Sequence, residues 1–351
     1  MKTMKNKANS VTRRKFIGTS ALVAAGVGLG TSRLFAGPAI LKGLKSPLSR
    51  INGVQIGVIT YSFRSLEDQS AEATLKYVTD CGINAIELMG DPAEAFAGKP
   101  ANPVDFRKMF PLIRAQREGQ QLTDDQQKEL AEMRARSEAY NREVAAWRGQ
   151  TSMEPFEKLR QMYADAGVSI YAFKPRAFEK TSTDAEIDWG LRAAKALGAT
   201  HVTLEHPSDD AHTLKLGKMA AKHGVFVAYH GHEQQTPTFW DTALRQSTFN
   251  SLNLDLGHFV AAGNTEPLNI ISDKFYRIKS MHMKDRQTPE HGKGNVVWGS
   301  GDTPLAEALR LMRDNKYDFA ATIELEYGIP EGSNAVAEVQ KCLEFCRKAL
   351  A

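Results

Sequence analysis

The 351-residue sequence predicts an α/β protein of the (β/α)8 TIM-barrel class, with a helical insertion between the second and third strands. From residue 54 onward, short runs of β-branched residues alternate with helical patterns, as in βα units that build a parallel sheet. We find eight such runs, and eight βα units close naturally into a barrel. The first run is followed by Tyr61-Ser62-Phe63-Arg64 rather than by a Gly-rich turn, which disfavours the rival doubly wound open sheet.

The predicted strands are short apolar runs. They are Val54–Thr60, Ile83–Leu88, Val168–Phe173, His201–Glu205, Val225–His230, Leu252–Asp255, Ile278–Met283 and Ala320–Glu326. Amphipathic segments near residues 69–80, 184–196, 211–223, 240–249, 265–274, 304–315 and 333–350 predict the helices between them and after the last strand. Thr303 before Pro304 predicts the start of one late helix, and Ser333 predicts the start of the last.

The second-to-third connection, roughly residues 91–166, is far longer than an ordinary βα loop. Thr123 and Gln126 have the spacing of a helix-capping box. The residues that then recur at three- and four-residue steps on one helix face are Leu130, Met133, Tyr140, Val144 and Trp147. We therefore predict a helical insertion that packs on the barrel wall, covers the site as a lid or joins subunits of a homo-oligomer.

Residues 1–36 resemble a twin-arginine (Tat) export signal. The motif reads Thr12-Arg13-Arg14-Lys15-Phe16-Ile17. The apolar run that follows, Ala21–Leu29, is short of the roughly 20 residues that span a bilayer. Cleavage at residues 36–39 would leave residues 37–53 as a linker and residues 54–351 as the barrel. We expect export by the Tat machinery to the periplasm or the outside of the cell, without a stable membrane anchor; a basic disordered tail is the alternative.

Composition excludes several other classes of protein. With 42% hydrophobic and 25% charged residues, the chain has enough apolar material for one large core. The net charge of +4 arises from 45 basic and 41 acidic residues, with several basic residues in the first fifty positions, so no nucleic-acid partner is expected. The three cysteines, Cys81, Cys342 and Cys346, form neither a disulfide framework nor a spaced thiolate metal site.

Ionisable residues end nearly every predicted strand from the second onward. In a barrel of this class, the side chains at these strand ends converge on one axis. The candidates are Glu87, Lys174, Glu205, His230 with His232, Asp255 with His258, His282 with Lys284 and Asp285, and Glu324 with Glu326. Burying such groups together costs several kcal/mol unless a metal or a partner compensates them. Carboxylates and imidazoles without a thiolate suit one divalent metal: Mn²⁺, Mg²⁺, Co²⁺ or Zn²⁺.

Each candidate also has a structural interpretation. Asp255 would serve as a loop cap, His282 as a buried core histidine, and Glu87 with Lys174 as an ion pair at the barrel mouth. Glu324 lies in an otherwise apolar run and is hard to explain without a partner.

Six motifs, in order along residues 54–350, resemble the xylose-isomerase-like TIM-barrel superfamily of sugar isomerases and epimerases. They are Gly57-Val58-Ile59-Thr60-Tyr61-Ser62-Phe63-Arg64, Tyr229-His230-Gly231-His232, Asp255-Leu256-Gly257-His258, His282-Met283-Lys284-Asp285, Gly299-Ser300-Gly301-Asp302 and Ile323-Glu324-Leu325-Glu326. The superfamily also includes inosose dehydratases and apurinic endonucleases. Its nuclease members carry extra histidine ligands on the second and third strands, where this chain has Glu87 and Lys174.

The resemblance implies one catalytic metal, held by a Glu from the fifth strand, an Asp from the sixth, a His from the seventh and a Glu from the eighth. Asp255, His282 and Glu324 match the last three positions. At the fifth strand, many relatives carry Glu-Asn-His where this chain has His230-Gly231-His232. Either His230 replaces the carboxylate, or Glu205, one strand earlier, supplies it.

The leading functional prediction is a metal-dependent sugar isomerase or epimerase that abstracts a proton next to a carbonyl, as the resemblance implies. The predicted catalytic residues are Glu324, Glu205, His230 and Lys174. The predicted substrate-binding residues are Glu87, His232, His258, Lys284 and Tyr61. Because His230 puts the usual pair of metal-bound glutamates in question, a lyase or hydratase of a keto-sugar or 3-keto-glycoside is the alternative, and an exported location favours it. A non-catalytic carbohydrate-binding barrel is the third hypothesis.

Overall fold

The computed structural model describes residues 48–351 and contains a closed barrel of eight parallel strands. Each strand pairs with the next along the chain, and the last pairs with the first through Val58 and Ile323. Helices connect successive strands, so the predicted (β/α)8 barrel with its helical insertion is confirmed. A two-residue strand, Arg50–Ile51, lies antiparallel to the start of the first barrel strand. The predicted Tat-type signal lies outside the described residues.

The barrel strands are β1 Val54–Ile59, β2 Ala85–Met89, β3 Ser169–Lys174, β4 His201–Glu205, β5 Phe226–His230, β6 Asn250–Asp255, β7 Ile278–Met283 and β8 Ala320–Ile323. The helices are α1 Ala71–Asp80, α2 Gly90–Phe96, α3 Phe106–Arg117, α4 Asp124–Gln150, α5 Glu154–Asp165, α6 Asp184–Leu197, α7 Asp210–His223, α8 Asp241–Gln246, α9 Leu256–Ala261, α10 Pro267–Lys274, α11 Leu305–Asn315 and α12 Ala335–Leu350. Short 3-10 turns occupy Thr60–Phe63 and Pro289–His291. Helices α11 and α12 begin one residue later than predicted, because Pro304 and Asn334, rather than Thr303 and Ser333, are the N-cap residues.

Alternate residues of each strand face opposite sides of the sheet. On β6, Leu252 and Leu254 are fully buried apolar residues, as is Met281 on β7. Side chains of this kind and the apolar faces of the helices make up the core around the barrel.

The other face of the sheet encloses a polar barrel interior. His201 Nε2 on β4 lies 3.0 Å from Ser280 Oγ on β7. The hydroxyls of Tyr171 on β3 and Thr322 on β8 are 2.7 Å apart. Because neither pair of strands is adjacent in the sheet, both hydrogen bonds cross the inside of the barrel.

The predicted insertion consists mainly of helices α3 and α4. The Thr123–Gln126 capping box begins the 27-residue helix α4, as predicted. Near this end, Leu130 and Met133 pack with Val104 and Met109 in a small separate apolar cluster.

The C-terminal end of α4 packs on the barrel wall. Trp147 lies edge-on to Trp189 of α6, with ring centroids 5.6 Å apart. Beside them, Arg148 Nη2 donates to the buried carboxylate of Glu94 in α2, at 3.1 Å. The wall-packing role predicted for the insertion is therefore confirmed for this end of α4. Within the described residues, no helix has the length and apolar character needed to cross a membrane.

Candidate functional site

Three predicted ligands meet at the carboxyl end of the barrel. His230 and Asp255 are the last residues of β5 and β6, and His282 is the penultimate residue of β7. Each offers one donor atom, and the three atoms lie within 4.8 Å of one another. Asp255 Oδ2 is 3.8 Å from both His230 Nε2 and His282 Nδ1. All three side chains are buried.

Glu324 and Lys284 complete this cluster. Glu324 directly follows β8, and its Oε2 lies 3.0 Å from His282 Nδ1 and 2.7 Å from Lys284 Nζ. The same ammonium group is 3.0 Å from Asp255 Oδ2 and 2.6 Å from Glu326 Oε2. The positive charge of this one buried lysine is therefore shared among three carboxylates.

These contacts shift the pKa values of the cluster. Burial alone would raise the pKa of Glu324, but Lys284 and His282 hold it well below its usual range. Burial alone would lower the pKa of His282, but Glu324 and Glu87 raise it to about 10. Burial is the largest effect on His230 and lowers its pKa to about 3. At neutral pH, Glu324 is therefore ionised and His230 is neutral.

The cluster fits a divalent cation. Asp255 Oδ1 accepts the backbone N–H of His258 at 2.7 Å, which caps helix α9. Buried Oδ2 has no hydrogen bond of normal geometry from the described residues, although Lys284 lies close by. An unsatisfied carboxylate oxygen facing two imidazole nitrogens is a donor set suited to a borderline divalent metal. The chain thus contains a candidate His/Asp metal site.

Glu205, the alternative fourth ligand, lies apart from this group. Its half-exposed carboxylate is 3.0 Å from Lys174 Nζ and 3.3 Å from His232 Nε2. Burial raises the pKa of Glu205, but His230, Lys174 and His232 outweigh burial and lower the pKa to about 2. Of the two residues considered for the fourth position, the structure brings His230 beside Asp255.

Glu87 lies deeper than predicted. It is 0% exposed, and its carboxylate accepts hydrogen bonds from Thr203 Oγ1 at 2.6 Å and Asn253 Nδ2 at 3.2 Å. Its Oε2 is also 2.8 Å from His282 Nε2. The proposed ion pair between Glu87 and Lys174 is not formed, because Lys174 pairs with Glu205 instead. Glu87 therefore supports His282 from below rather than facing the barrel mouth, where the sequence placed it as a substrate-binding residue.

The predicted substrate-binding residues Tyr61, His232 and His258 lie around the mouth. Tyr61 is 39% exposed, and the guanidinium of Arg64 lies 4.4 Å from its ring centroid. The rings of His232 and His258 are 4.5 Å apart.

Hydrogen bonding fixes the position of the hydrogen on the His258 ring. Arg286 Nη1 donates to His258 Nδ1 at 2.5 Å, which leaves the hydrogen of the neutral ring on Nε2. Burial and the positive charge of Lys284 lower the pKa of His258 to about 2, which keeps the ring neutral. Nitrogen atoms of His230, His232 and His258 also lie within 4.8 Å of one another. Because the open nitrogen of His258 is protonated, this second group suits hydrogen bonding to a substrate better than metal binding.

Several contact residues were not predicted. They are Asn253, Thr203, Ser280, His201 and Arg286. The first four alternate with apolar residues inside the strands, as in Asn253-Leu254-Asp255 and Ser280-Met281-His282. Strands buried on both faces usually read as continuous apolar runs, so a polar residue at every second position was a usable signal for a polar interior.

Solved structures with the same fold include sugar epimerases and a dehydratase. D-psicose 3-epimerase from Clostridium cellulolyticum H10 matches 85% of this chain and 99% of its own, with a TM-score of 0.55 and 12% identity. The probable 3-DHS dehydratase involved in petrobactin synthesis from Bacillus anthracis matches 83% of this chain and 98% of its own, with a TM-score of 0.55 and 14% identity. A sugar phosphate isomerase/epimerase from Parabacteroides distasonis matches 84% of this chain and 93% of its own, with a TM-score of 0.52 and 16% identity. At these identities the likeness concerns the fold.

Comparison with curated protein sequences finds no match. The family model described as "Xylose isomerase-like TIM barrel" matches residues 75–349. This range contains β2 to β8 and every residue of the metal-binding candidate cluster. The chain therefore belongs to the xylose isomerase-like TIM-barrel family.

Proposed function

We propose that the protein is a divalent-metal-dependent isomerase or epimerase of a sugar or sugar derivative, which abstracts a proton from the carbon next to a carbonyl. The observation that carries this proposal is the convergence of His230, Asp255 and His282 around one point, with Glu324 beside them. These residues lie on or directly after four successive strands, at the end of the barrel where enzymes of this fold bind substrate. The sugar epimerases among the solved structures of similar fold support the choice of reaction.

His230, Asp255, His282 and Glu324 would hold the metal. Their oxygen and nitrogen donors suit Mn²⁺, Mg²⁺, Co²⁺ and Zn²⁺ alike. When bound, a divalent cation would polarise the substrate carbonyl and stabilise the negative charge that develops on its oxygen.

Two carboxylates are available for proton transfer on opposite sides of the mouth. Glu324 follows β8 and Glu205 ends β4, and these strands are four places apart in either direction around the closed barrel. Both carboxylates are ionised at neutral pH, because the pKa of each is held below its usual range. Glu324 would remove the proton from one face of the sugar, and Glu205 would exchange a proton at the other face.

Neighbouring side chains would orient the substrate. The neutral ring of His258 carries its hydrogen on Nε2 and would donate it to a sugar hydroxyl or carbonyl oxygen. Lys284 keeps Glu324 ionised through a contact of 2.7 Å. Tyr61 offers a half-exposed ring against which the apolar face of a sugar would pack.

A β-elimination from a keto-sugar or 3-keto-glycoside is the second candidate. The observation that favours it is the salt bridge of 3.0 Å between Lys174 Nζ and Glu205, which places an ammonium proton donor at the mouth. Such a donor would protonate a leaving group after Glu324 had removed the adjacent proton. A dehydratase among the solved structures with this fold agrees with this candidate.

The decisive experiment incubates the protein, reconstituted with Mn²⁺, with keto-sugars and 3-keto-glycosides in deuterated water. Isomerisation or epimerisation would introduce deuterium next to the carbonyl without loss of a group, whereas elimination would release the group. Asp255→Ala and His282→Ala should lose the metal, measured by elemental analysis. Glu324→Gln should lower kcat by about 10²- to 10⁴-fold with a smaller effect on substrate binding. A metal content of zero after reconstitution would favour the carbohydrate-binding barrel, and full activity in all three variants would refute the site.

We also propose export by the Tat pathway, on the N-terminal motif alone. The double substitution Arg13→Lys and Arg14→Lys should retain the protein in the cytoplasm, as measured by cell fractionation. The matched substitution Lys15→Arg, which leaves the paired arginines intact, should be exported normally. Equal export of both variants would refute this proposal.

A further inference from the structure

A buried hydrogen-bond network lies directly beneath the candidate metal site. Glu87, Asn253 and Ser280 belong to β2, β6 and β7, and each is 0% exposed. Asn253 Nδ2 lies 3.2 Å from Glu87 Oε2 and 2.7 Å from Ser280 Oγ, while Asn253 Oδ1 lies 2.7 Å from His230 Nδ1. Glu87 Oε2 is also 2.8 Å from His282 Nε2. One carboxylate is thus linked to both histidines of the cluster.

The chemistry of the donors fixes the orientation of Asn253. A carboxylate oxygen is an acceptor, so the amide must turn its NH₂ group toward Glu87. The reverse orientation would place the amide oxygen against the carboxylate, two acceptors with no hydrogen between them. The carbonyl Oδ1 of Asn253 is therefore left for His230, and it can only accept. His230 must then carry its hydrogen on Nδ1.

Both histidines consequently turn one ring nitrogen to the same point. With its hydrogen on Nδ1, neutral His230 has a free lone pair on Nε2, which lies 3.8 Å from Asp255 Oδ2. His282 lies between two carboxylates, so both of its nitrogens carry a hydrogen: Nε2–H donates to Glu87 and Nδ1–H donates to Glu324 at 3.0 Å. Because Glu87 holds Nε2, a metal would take the place of the hydrogen on Nδ1, which lies 3.8 Å from Asp255 Oδ2. This oxygen is the buried carboxylate atom without a normal hydrogen bond.

We propose that Glu87 and Asn253 are positioning residues that select the metal-binding nitrogen of each histidine, Nε2 of His230 and Nδ1 of His282. Neither residue touches the candidate metal point; both act through the rings that do. Hydrogen-bond partners of this kind typically change metal affinity by about 10- to 100-fold when they are substituted. The inference rests on the proposed metal-dependent function, but the hydrogen position that it requires on His230 exists in the metal-free protein.

The first test measures the position of the hydrogen in the unaltered protein and uses one variant only to assign the signals. Long-range ¹H–¹⁵N NMR spectra of metal-free protein labelled with ¹⁵N-histidine distinguish the two neutral tautomers, and a His230→Gln spectrum assigns the His230 signals among the nine histidines of the chain. We expect His230 as the Nδ1–H tautomer. Observation of the Nε2–H tautomer would overturn the proposal, even if the Glu87 and Asn253 variants failed to fold.

The second test measures Co²⁺ binding by calorimetry and by the visible absorption spectrum of the bound ion. Glu87→Gln and Asn253→Ala should weaken binding by about 10- to 100-fold and alter the spectrum. The control is Thr322→Val, which removes another hydrogen bond in the barrel interior, that with Tyr171, and should bind Co²⁺ within about threefold of wild type. Wild-type affinity and spectrum in Glu87→Gln would overturn the proposal. Failure of the wild-type protein to bind Co²⁺ would instead refute the proposed function, and the NMR spectra would still decide the tautomer.

Discussion

The contact between helix α4 and the barrel wall can be tested through Arg148. This side chain is 6% exposed and lies between Glu94 and Trp189. Its Nη2 is 3.1 Å from Glu94 Oε1, and its guanidinium carbon is 4.8 Å from the Trp189 ring centroid. Arg148→Met would preserve much of the apolar stem and remove these two contacts, together with the ion pair of 3.6 Å between Arg148 Nη1 and Glu186 Oε1.

The expected cost follows from what remains buried. Removal of one partner of a buried ion pair costs about 3–5 kcal/mol, because the other charge is left uncompensated. Glu94 would keep a second partner, Lys99 Nζ at 3.2 Å, which reduces this cost. Loss of the cation–π contact adds about 1–2 kcal/mol. We therefore expect Arg148→Met to lower the free energy of unfolding by about 3 kcal/mol.

Urea denaturation followed by circular dichroism at 25 °C would measure this change. The control is Arg136→Met on the same helix, whose side chain is 64% exposed and lies 3.9 Å from Glu132. Exposed pairs of this kind contribute about 0.5 kcal/mol or less. Limited proteolysis should also cut α4 sooner in Arg148→Met than in the control. Equal stability of the two variants would refute the idea that this ion pair fastens the insertion.

Three further predictions concern the barrel interior and the mouth. Lys284→Met should lower the free energy of unfolding by about 3–5 kcal/mol, because buried carboxylates lose their counter-charge. Urea denaturation in the presence of a chelator would measure this change, and an unchanged midpoint would contradict the ion pairs of Lys284. Burial lowers the pKa of His201 from 6.5 to about 4, so between these pH values the unfolded chain binds a proton that the folded chain does not. Because of His201, the free energy of unfolding should therefore fall by about 1.4 kcal/mol per pH unit as the pH decreases through that window. His201→Gln should remove this part of the pH dependence. Identical pH dependence in the variant and the wild type would refute the lowered pKa of His201. Gly257→Ala should lower the free energy of unfolding by about 1–3 kcal/mol and reduce Co²⁺ binding, because the new Cβ would lie 2.7 Å from the Lys284 carbonyl oxygen. The control is Gly149→Ala, whose new Cβ has no atom within 4 Å and which should not destabilise the protein in a thermal melt.

The strand bounds were predicted correctly where the apolar run in the sequence covers the same residues as the hydrogen-bonded strand. Strands His201–Glu205 and Ile278–Met283 have the predicted bounds. Strand β6 begins at Asn250, two residues before its predicted start, because Asn250 and Ser251 are polar and gave no apolar signal. The last strand ends at Ile323 rather than Glu326, so Glu324 and Glu326 lie in the loop where they reach Lys284.

The sequence predicted which residues belong to the candidate site, but not which of them contact one another. A residue near a strand end is visible in the sequence, and Asp255, His282 and Glu324 do meet as expected. Depth within the barrel depends on how the strands are staggered, which a single sequence does not reveal. Glu87 shows this: it lies two residues before the end of β2, next to a register shift between β2 and β3, and faces Thr203 instead of the mouth.

The polar barrel interior also limits which substitutions this sequence can accept during evolution. An apolar core accepts many substitutions of similar volume, because no single contact is directional. Here, a change of His201 alone would remove the partner of Ser280 across the barrel and leave only Asn253 bonded to this hydroxyl. A buried hydrogen bond that is left unmade costs about 1–3 kcal/mol. In homologous chains, two such residues on distant strands should therefore be substituted together. Covariation between these positions would reveal the hydrogen bonds inside the barrel.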